Sequence, residues 1–137
     1  MGSMRSPQLI GLAGTALLLL AGCSSPMPVS QGQTNIMATY EYPSLSAVLP
    51  TQARVPAVIA AAEQTVRARG YAVLDLASAE ELGKVVARPP RTSDIPTVRI
   101  EAYRVFQWTK VVITFVPWGD NASSRSMLDG ILQRLGL

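Results

Sequence analysis

The side chains that most often carry catalysis are nearly absent from this sequence. Its 137 residues include no histidine and one cysteine, Cys23. A serine–histidine triad, a cysteine–histidine pair and imidazole metal ligands therefore have no residues from which to form. Asp120 and Asn121 alone provide too few oxygen ligands for calcium. We therefore expect no metal site and no catalytic residue, and we predict that the protein is not an enzyme.

Carboxylates and lysines are the remaining groups that transfer protons or attack substrates. The candidates are Asp75, Glu80, Glu81, Glu101, Lys84 and Lys110. Glu80 and Glu81 are explained more simply as acidic residues at a helix start, where the helix dipole favours negative charge. Glu101 alternates onto the polar face of a predicted strand, and no neighbour in sequence indicates that either lysine is activated. Catalysis is therefore only the third hypothesis, behind two kinds of binding.

Cys23 lies at the end of an apolar segment near the start of the sequence. Arg5 precedes an uncharged apolar run, Leu9–Ala21, which is shorter than the roughly 20 residues needed to span a bilayer. The run leads into Leu20-Ala21-Gly22-Cys23, which resembles a lipobox; a short uncleaved anchor or a chance apolar run is the alternative. The resemblance implies a signal peptide over residues 1–22, and a diacylglycerol and an N-acyl chain on Cys23. No other cofactor is expected.

The residues after Cys23 predict the compartment and the domain boundary. Ser24, rather than aspartate, follows the cysteine, which in lipoproteins of Gram-negative bacteria implies anchoring to the periplasmic face of the outer membrane. Residues 23–38 are uncharged and lack hydrophobic periodicity, so they predict a lipidated terminus and a flexible tether. Residues 39–137 are then expected to form one domain, since about 100 residues hold a single core.

The charge of the mature chain argues against nucleic acid as a partner. Removing Arg5 from the 12 basic residues leaves 11, against 9 acidic residues, and the formal balance is +2. Such a weak balance without a basic run does not favour nucleic acid. No disulfide can form within the chain, so its hydrophobic core alone must stabilise the fold.

Several strands and two amphipathic helices must position any functional residue. Strands are predicted over 39–42, 71–76, 84–88, 97–105 and 109–116, with a helical turn after Ser78 and a turn at Gln107-Trp108. Helices are predicted from Gln52 or Val55 to Arg69, and from Ser123 or Ser124 to Leu135. The order β-α-β-β-β-β-α predicts an α+β two-layer sandwich, with an antiparallel sheet of four to five strands and both helices packed on one face. The strongly apolar strand 109–116 is expected to be central or covered on its second face.

Aromatic residues provide the main indication of a binding surface. Tyr103, Phe106 and Trp108 fall around one predicted turn with Arg104 and Lys110, whereas Trp118 falls in another loop. One interpretation is that these side chains cap the ends of the core. The other is a partner surface, because Trp, Tyr and Arg are enriched at interface hot spots. The candidate surface comprises Tyr103, Arg104, Phe106, Trp108 and Trp118.

The order of these features resembles a group of small bacterial periplasmic lipoproteins, of proteobacterial type, whose function is uncharacterised. The matching residues are Tyr42-Pro43-Ser44, Gly70-Tyr71, Trp118-Gly119-Asp120, and Ser124, Ser126, Leu128, Ile131 and Leu135 in the last helix. The resemblance covers most of Tyr40–Leu137 and departs at Leu49–Arg54 and Arg91–Pro96. It implies fold and location but no activity.

Two binding hypotheses follow from the sequence. The first is a non-catalytic interaction or structural accessory module of an envelope protein assembly, held to the membrane by its lipid anchor. The alternative is a binder of a lipid or another small apolar ligand in the periplasm. The expected partners are thus the membrane and an envelope protein, with a small-molecule ligand left open and nucleic acid excluded.

Overall fold

Seven strands and two helices occur in the part of the chain that the structure, a computed structural model, describes: residues 26–90 and 97–137. The strands are β1 (Val29–Gln31), β2 (Ile36–Glu41), β3 (Ser44–Leu49), β4 (Ala72–Ser78), β5 (Leu82–Arg88), β6 (Thr97–Val105) and β7 (Trp108–Val116). The helices are α1 (Val55–Ala68), which follows β3, and α2 (Asn121–Leu135), which follows β7. The predicted α+β class is confirmed.

All seven strands belong to one open antiparallel sheet, in the order β1-β2-β3-β7-β6-β5-β4. β7 is the fourth of the seven, which confirms the first of the two alternatives predicted for this strand, a central position. Leu45, Ile113, Ile100 and Val85 lie side by side across β3, β7, β6 and β5, and all are buried. They mark the core face of the sheet, on which α1 packs over β4–β6 and α2 over β1, β3 and β7.

The sheet has seven strands rather than the predicted four or five, because β1 and β3 were not predicted. β1 and the first half of β2 lie in the segment expected to be a tether, joined by a turn at residues 32–35, and Pro26–Pro28 precede them without regular structure. The Gln31 side chain donates hydrogen bonds to Arg125 O (2.9 Å) and Asp129 Oδ1 (2.8 Å) of α2. A three-residue edge strand held by polar contacts shows no hydrophobic alternation, which is why the sequence does not indicate it. The predicted signal peptide and Cys23 lie outside the described residues.

Three local predictions also change when the strands pair. Ser44–Leu49, for which no element was predicted, forms β3 beside the central strand. Residues 79–81 form a hairpin loop rather than a helical turn, with Ala79 N donating to Leu82 O at 3.1 Å. Pairing of β4 with β5 along most of their length outweighs a single local capping box. The β6–β7 turn is Phe106-Gln107, one residue earlier than predicted.

The two helices fit closely against the sheet and against each other. The predicted stripe of α1 is buried, including Val58, Ile59 and Val66. A methyl group added at Gly83 of β5 would overlap Ile59, and one added at Gly130 of α2 would lie 2.7 Å from Thr65 Cγ2. At these two places, therefore, no space remains between the packed elements for a ligand.

Candidate interaction surface

Phe106 and Trp108, two exposed aromatic residues of the predicted surface, lie at the turn between β6 and β7. Phe106 occupies a left-handed backbone conformation (φ 58°) at the turn, and its side chain is 85% exposed. Trp108 begins β7, pairs with Val105 and is 41% exposed. Because β6 and β7 are the longest strands of the sheet, the two rings stand on a rigid support. We call Tyr103, Arg104, Phe106 and Trp108 the hairpin patch.

Arg104 is fixed in place by three contacts. Its Nε donates to Phe106 O at 3.1 Å, which closes the turn beneath the aromatic ring. Its backbone N–H donates to Glu81 O at 3.0 Å, and its Nη1 lies 3.7 Å from Glu81 Oε1. The guanidinium group is thus largely preorganised while remaining accessible to a partner.

Tyr103 faces a different side from Phe106. It lies in register between Lys110 of β7 and Leu82 of β5, on the sheet face that carries no helix. It is half-buried there, whereas Leu82 is exposed. The hairpin patch therefore extends from the turn onto the open face of the sheet.

Two open concavities meet at Trp108. A cleft of about 200 Å³ is lined by Arg54, Glu80, Arg104, Gln107 and Trp108, among others. It is smaller than the roughly 300–1,000 Å³ of typical small-molecule sites, so it suits a partner's side chain better than a cofactor. A shallower groove of about 670 Å³ crosses the open face beside Met37, Val48, Trp108 and Lys110. The sequence analysis missed Met37 and Val48, although both occupy outward positions of alternating strands.

Trp118 lies at the opposite end of β7 and does not join the hairpin patch. It is 72% exposed, in the loop before α2. The next residue, Gly119 (φ +75°), lies so close to the β2–β3 turn that an added Cβ would be 2.6 Å from the Tyr40 hydroxyl and 3.0 Å from Pro43. The loop and the turn therefore form one corner, which brings together two of the motifs on which the family resemblance depends.

The other side chains of this corner have structural roles. Asp120 Oδ1 accepts a hydrogen bond from Ser123 N at 2.9 Å and caps α2. Ser44 Oγ and Thr114 Oγ1, 2.6 Å apart, share a hydrogen bond between β3 and β7. Burial raises the pKa of the Tyr40 phenol, and Tyr42 and Asp120 raise it further. Tyr42 itself projects outward and is 66% exposed.

The candidate carboxylates are each placed beside a cation. Asp75 Oδ2 lies 3.0 Å from Lys84 Nζ, and Glu101 Oε1 lies 3.9 Å from Arg99 Nε. Glu80 pairs with Arg54, and Glu81 with Arg104. A hydrogen bond from Lys84 and its positive charge lower the pKa of Asp75, opposite to the rise that a general acid needs. These groups are arranged as surface ion pairs rather than as a catalytic pair of carboxylates.

The described residues contain neither a cluster of metal-ligating side chains nor a helix that could span a membrane. Across 26–90 and 97–137, no three His, Cys, Asp or Glu residues gather closely enough to hold a metal ion. Neither described helix is long and apolar enough to cross a membrane.

No protein-family model matches the chain, and no curated protein is significantly similar to it.

Proposed function

We propose that this chain is an outer-membrane-anchored periplasmic lipoprotein that acts as a non-catalytic interaction module of an envelope protein assembly. The lipobox-like sequence ending in Cys23 supports the anchor. The exposed aromatic residues of the hairpin patch support the interaction. Catalysis is disfavoured by the missing histidine and by carboxylates engaged in ion pairs.

The observation that carries the proposal is the exposure of Phe106 and Trp108 on a fixed hairpin. Burying a side chain such as Phe is worth about 1.5–3 kcal/mol, which the folded monomer forgoes at Phe106. A partner that covers both rings recovers this free energy without reordering the turn, because Arg104 already holds it. Aromatic and arginine side chains on a rigid support are typical of interface hot spots.

In-cell photocrosslinking tests the proposal. A photoreactive residue at Gln107, on the exposed turn, should yield a defined protein adduct that Phe106→Ser weakens about tenfold, the loss of about 1.4 kcal/mol of binding. The matched control places the same photoreactive residue at Gln133, exposed on α2. The same adducts from both positions, or none from Gln107, would contradict the proposed surface.

The alternative, a binder of a lipid or another apolar ligand, has one observation in its favour. The open groove beside Trp108 has apolar walls at Met37 and Val48. The close packing at Gly83 and Gly130 leaves no internal site at those two places. A ligand retained in the native mass spectrum, with no protein adduct from Gln107, would favour this alternative over the interaction module.

A further inference from the structure

The beginning of β1 limits where the proposed anchor can attach. Val29 pairs with Ala38, and β1 runs antiparallel to β2. The backbone that precedes Val29 therefore approaches from the end of the sheet where β2 finishes at Glu41. Six residue steps separate Val29 from Cys23, a reach of at most about 20 Å.

That end of the sheet displays exposed apolar and aromatic side chains. Tyr42 and Trp118, 66% and 72% exposed, stand on either side of the contact between Gly119 and Pro43. Met27, two residues before β1, is 77% exposed. Tyr42 is four residues beyond Ala38 in the chain, about 13 Å along the strand direction. The reach of the Cys23 segment thus includes this corner, which we call the anchor corner: Met27, Tyr42 and Trp118.

We propose that the anchor corner rests on the bilayer surface, with Tyr42 and Trp118 inserted at the lipid–water interface as a second membrane contact. The inference rests on the proposed lipidation of Cys23. Tyr and Trp favour this interface because their rings are apolar and their O–H or N–H groups remain hydrated. A short lipidated segment keeps the corner close to the membrane. The effective concentration of the two aromatic rings at the bilayer surface is therefore high, which favours even a weak insertion.

The charges of the corner indicate which lipids matter. Glu41 ends β2, Asp120 follows Trp118 and Gly119, and Arg125 donates hydrogen bonds to Asn121 Oδ1 and Ala38 O, so the described residues give this corner no excess of cations. Attraction to anionic headgroups therefore does not drive the contact. The insertion depends on the apolar rings and is expected to change little with salt or with the anionic lipid fraction.

The same geometry directs the hairpin patch away from the membrane. Trp108 and Val116 are the two ends of β7, about 27 Å apart along the strand. When the Val116 end rests on lipid, the Trp108 end faces the periplasm, where a protein partner has access to it.

Fluorescence of the protein's two tryptophans tests this orientation. The acylated full chain is reconstituted into phosphatidylethanolamine–phosphatidylglycerol vesicles with or without brominated acyl chains, which quench nearby indoles. Trp108→Phe leaves Trp118 as the only reporter, and Trp118→Phe leaves Trp108 as its matched control. We expect Trp118 to be quenched roughly fivefold more strongly, since an interfacial ring lies about 5–10 Å into the headgroup boundary. Both substitutions are at exposed positions, and circular dichroism verifies folding.

The outcomes separate this inference from the proposed function. A chain that mass spectrometry shows to lack acyl chains on Cys23 would overturn the proposed anchor and, with it, the membrane contact. An acylated, vesicle-bound chain whose two tryptophans are equally quenched would overturn the anchor corner alone. Stronger quenching of Trp108 than of Trp118 would reverse the orientation and equally overturn the inference.

Discussion

Asp75, Glu80, Glu81 and Glu101 illustrate how single residues acquire their roles in this protein. Each is a plausible acid or base when only residue type is considered, and each lies beside a lysine or arginine in the folded chain. Three of these pairs join different elements, so their formation depends on the tertiary structure, whereas Arg99 and Glu101 both belong to β6. The sequence predicts the types of residue available for chemistry, whereas the fold assigns most of them to their ion pairs.

The Asp75–Lys84 pair provides a test at this scale. Lys84→Met should return the lowered pKa of Asp75 toward its ordinary value of 3.8, because the hydrogen bond and the positive charge are both removed. Since the folded-state pKa is the lower one, the pair contributes stability above the unfolded-state pKa. That contribution is lost as the pH falls through the folded-state pKa. An NMR titration of the Asp75 carboxyl carbon measures the shift directly.

Lys110→Met is the matched control for this titration, because Lys110 lies on β7 beside Tyr103 rather than beside Asp75. It should leave the pKa of Asp75 unchanged. An Asp75 pKa that stays low in Lys84→Met would refute the assignment. The pair is exposed, so its effect on overall stability is expected to be small.

The elements whose hydrophobic periodicity is visible in the sequence were predicted well. The helices α1 and α2 show apolar residues at helical spacing, and the structure confirms both, although α2 begins at Asn121 because Asp120 caps it. The predicted helical turn after Ser78 is wrong because β4 and β5 pair across it. A long segment with helical periodicity can be predicted from the sequence, whereas the structure of a short segment is decided by its tertiary contacts.

Gly119 and Gly136 allow a prediction about the loop that joins β7 to α2. The two glycines have nearly equal positive φ angles (75° and 76°). An added Cβ atom would contact Tyr40 and Pro43 at Gly119, but it would have no neighbour within 4 Å at Gly136. Gly136→Ala should reduce the free energy of unfolding by about 1–2 kcal/mol through backbone strain alone. Gly119→Ala should cost about 1–3 kcal/mol more, since the added methyl group also overlaps its neighbours. Urea unfolding of the two variants gives the difference, and equal losses would show that the corner is loosely packed.

At the scale of the whole molecule, the N-terminal strands β1 and β2 form one edge of the sheet rather than a flexible tether. Ile36 and Ala38 are buried, and Thr34 N donates to Leu137 O at 2.8 Å, which ties the first hairpin to the C-terminus. The predicted boundary at residue 39 therefore falls within β2, inside the sheet. Of the described residues, Pro26–Pro28 alone precede β1.

Truncation measures the contribution of these strands. Chains that begin at Pro26 and at Val29 should unfold at the same urea concentration, because Pro26–Pro28 are exposed. A chain that begins at Thr39 should lose at least about 3 kcal/mol or fail to fold, since the removal of buried Ile36 and Ala38 also uncovers α2. Equal stability of all three chains would restore the tether interpretation.

The sequence by itself determined the features that depend on composition and on local periodicity. It excluded histidine chemistry, predicted two helices and a β7 that is central or covered on its second face, and led to the prediction of a lipid anchor at Cys23, which stays a prediction. Tertiary structure decided that Val29–Ala38 joins the sheet, that Trp118 lies far from Phe106 and that Trp118 shares a corner with Tyr42. Strand pairing and corner contacts join residues distant in the chain, and their free energy comes from burial and hydrogen bonds that no local pattern encodes.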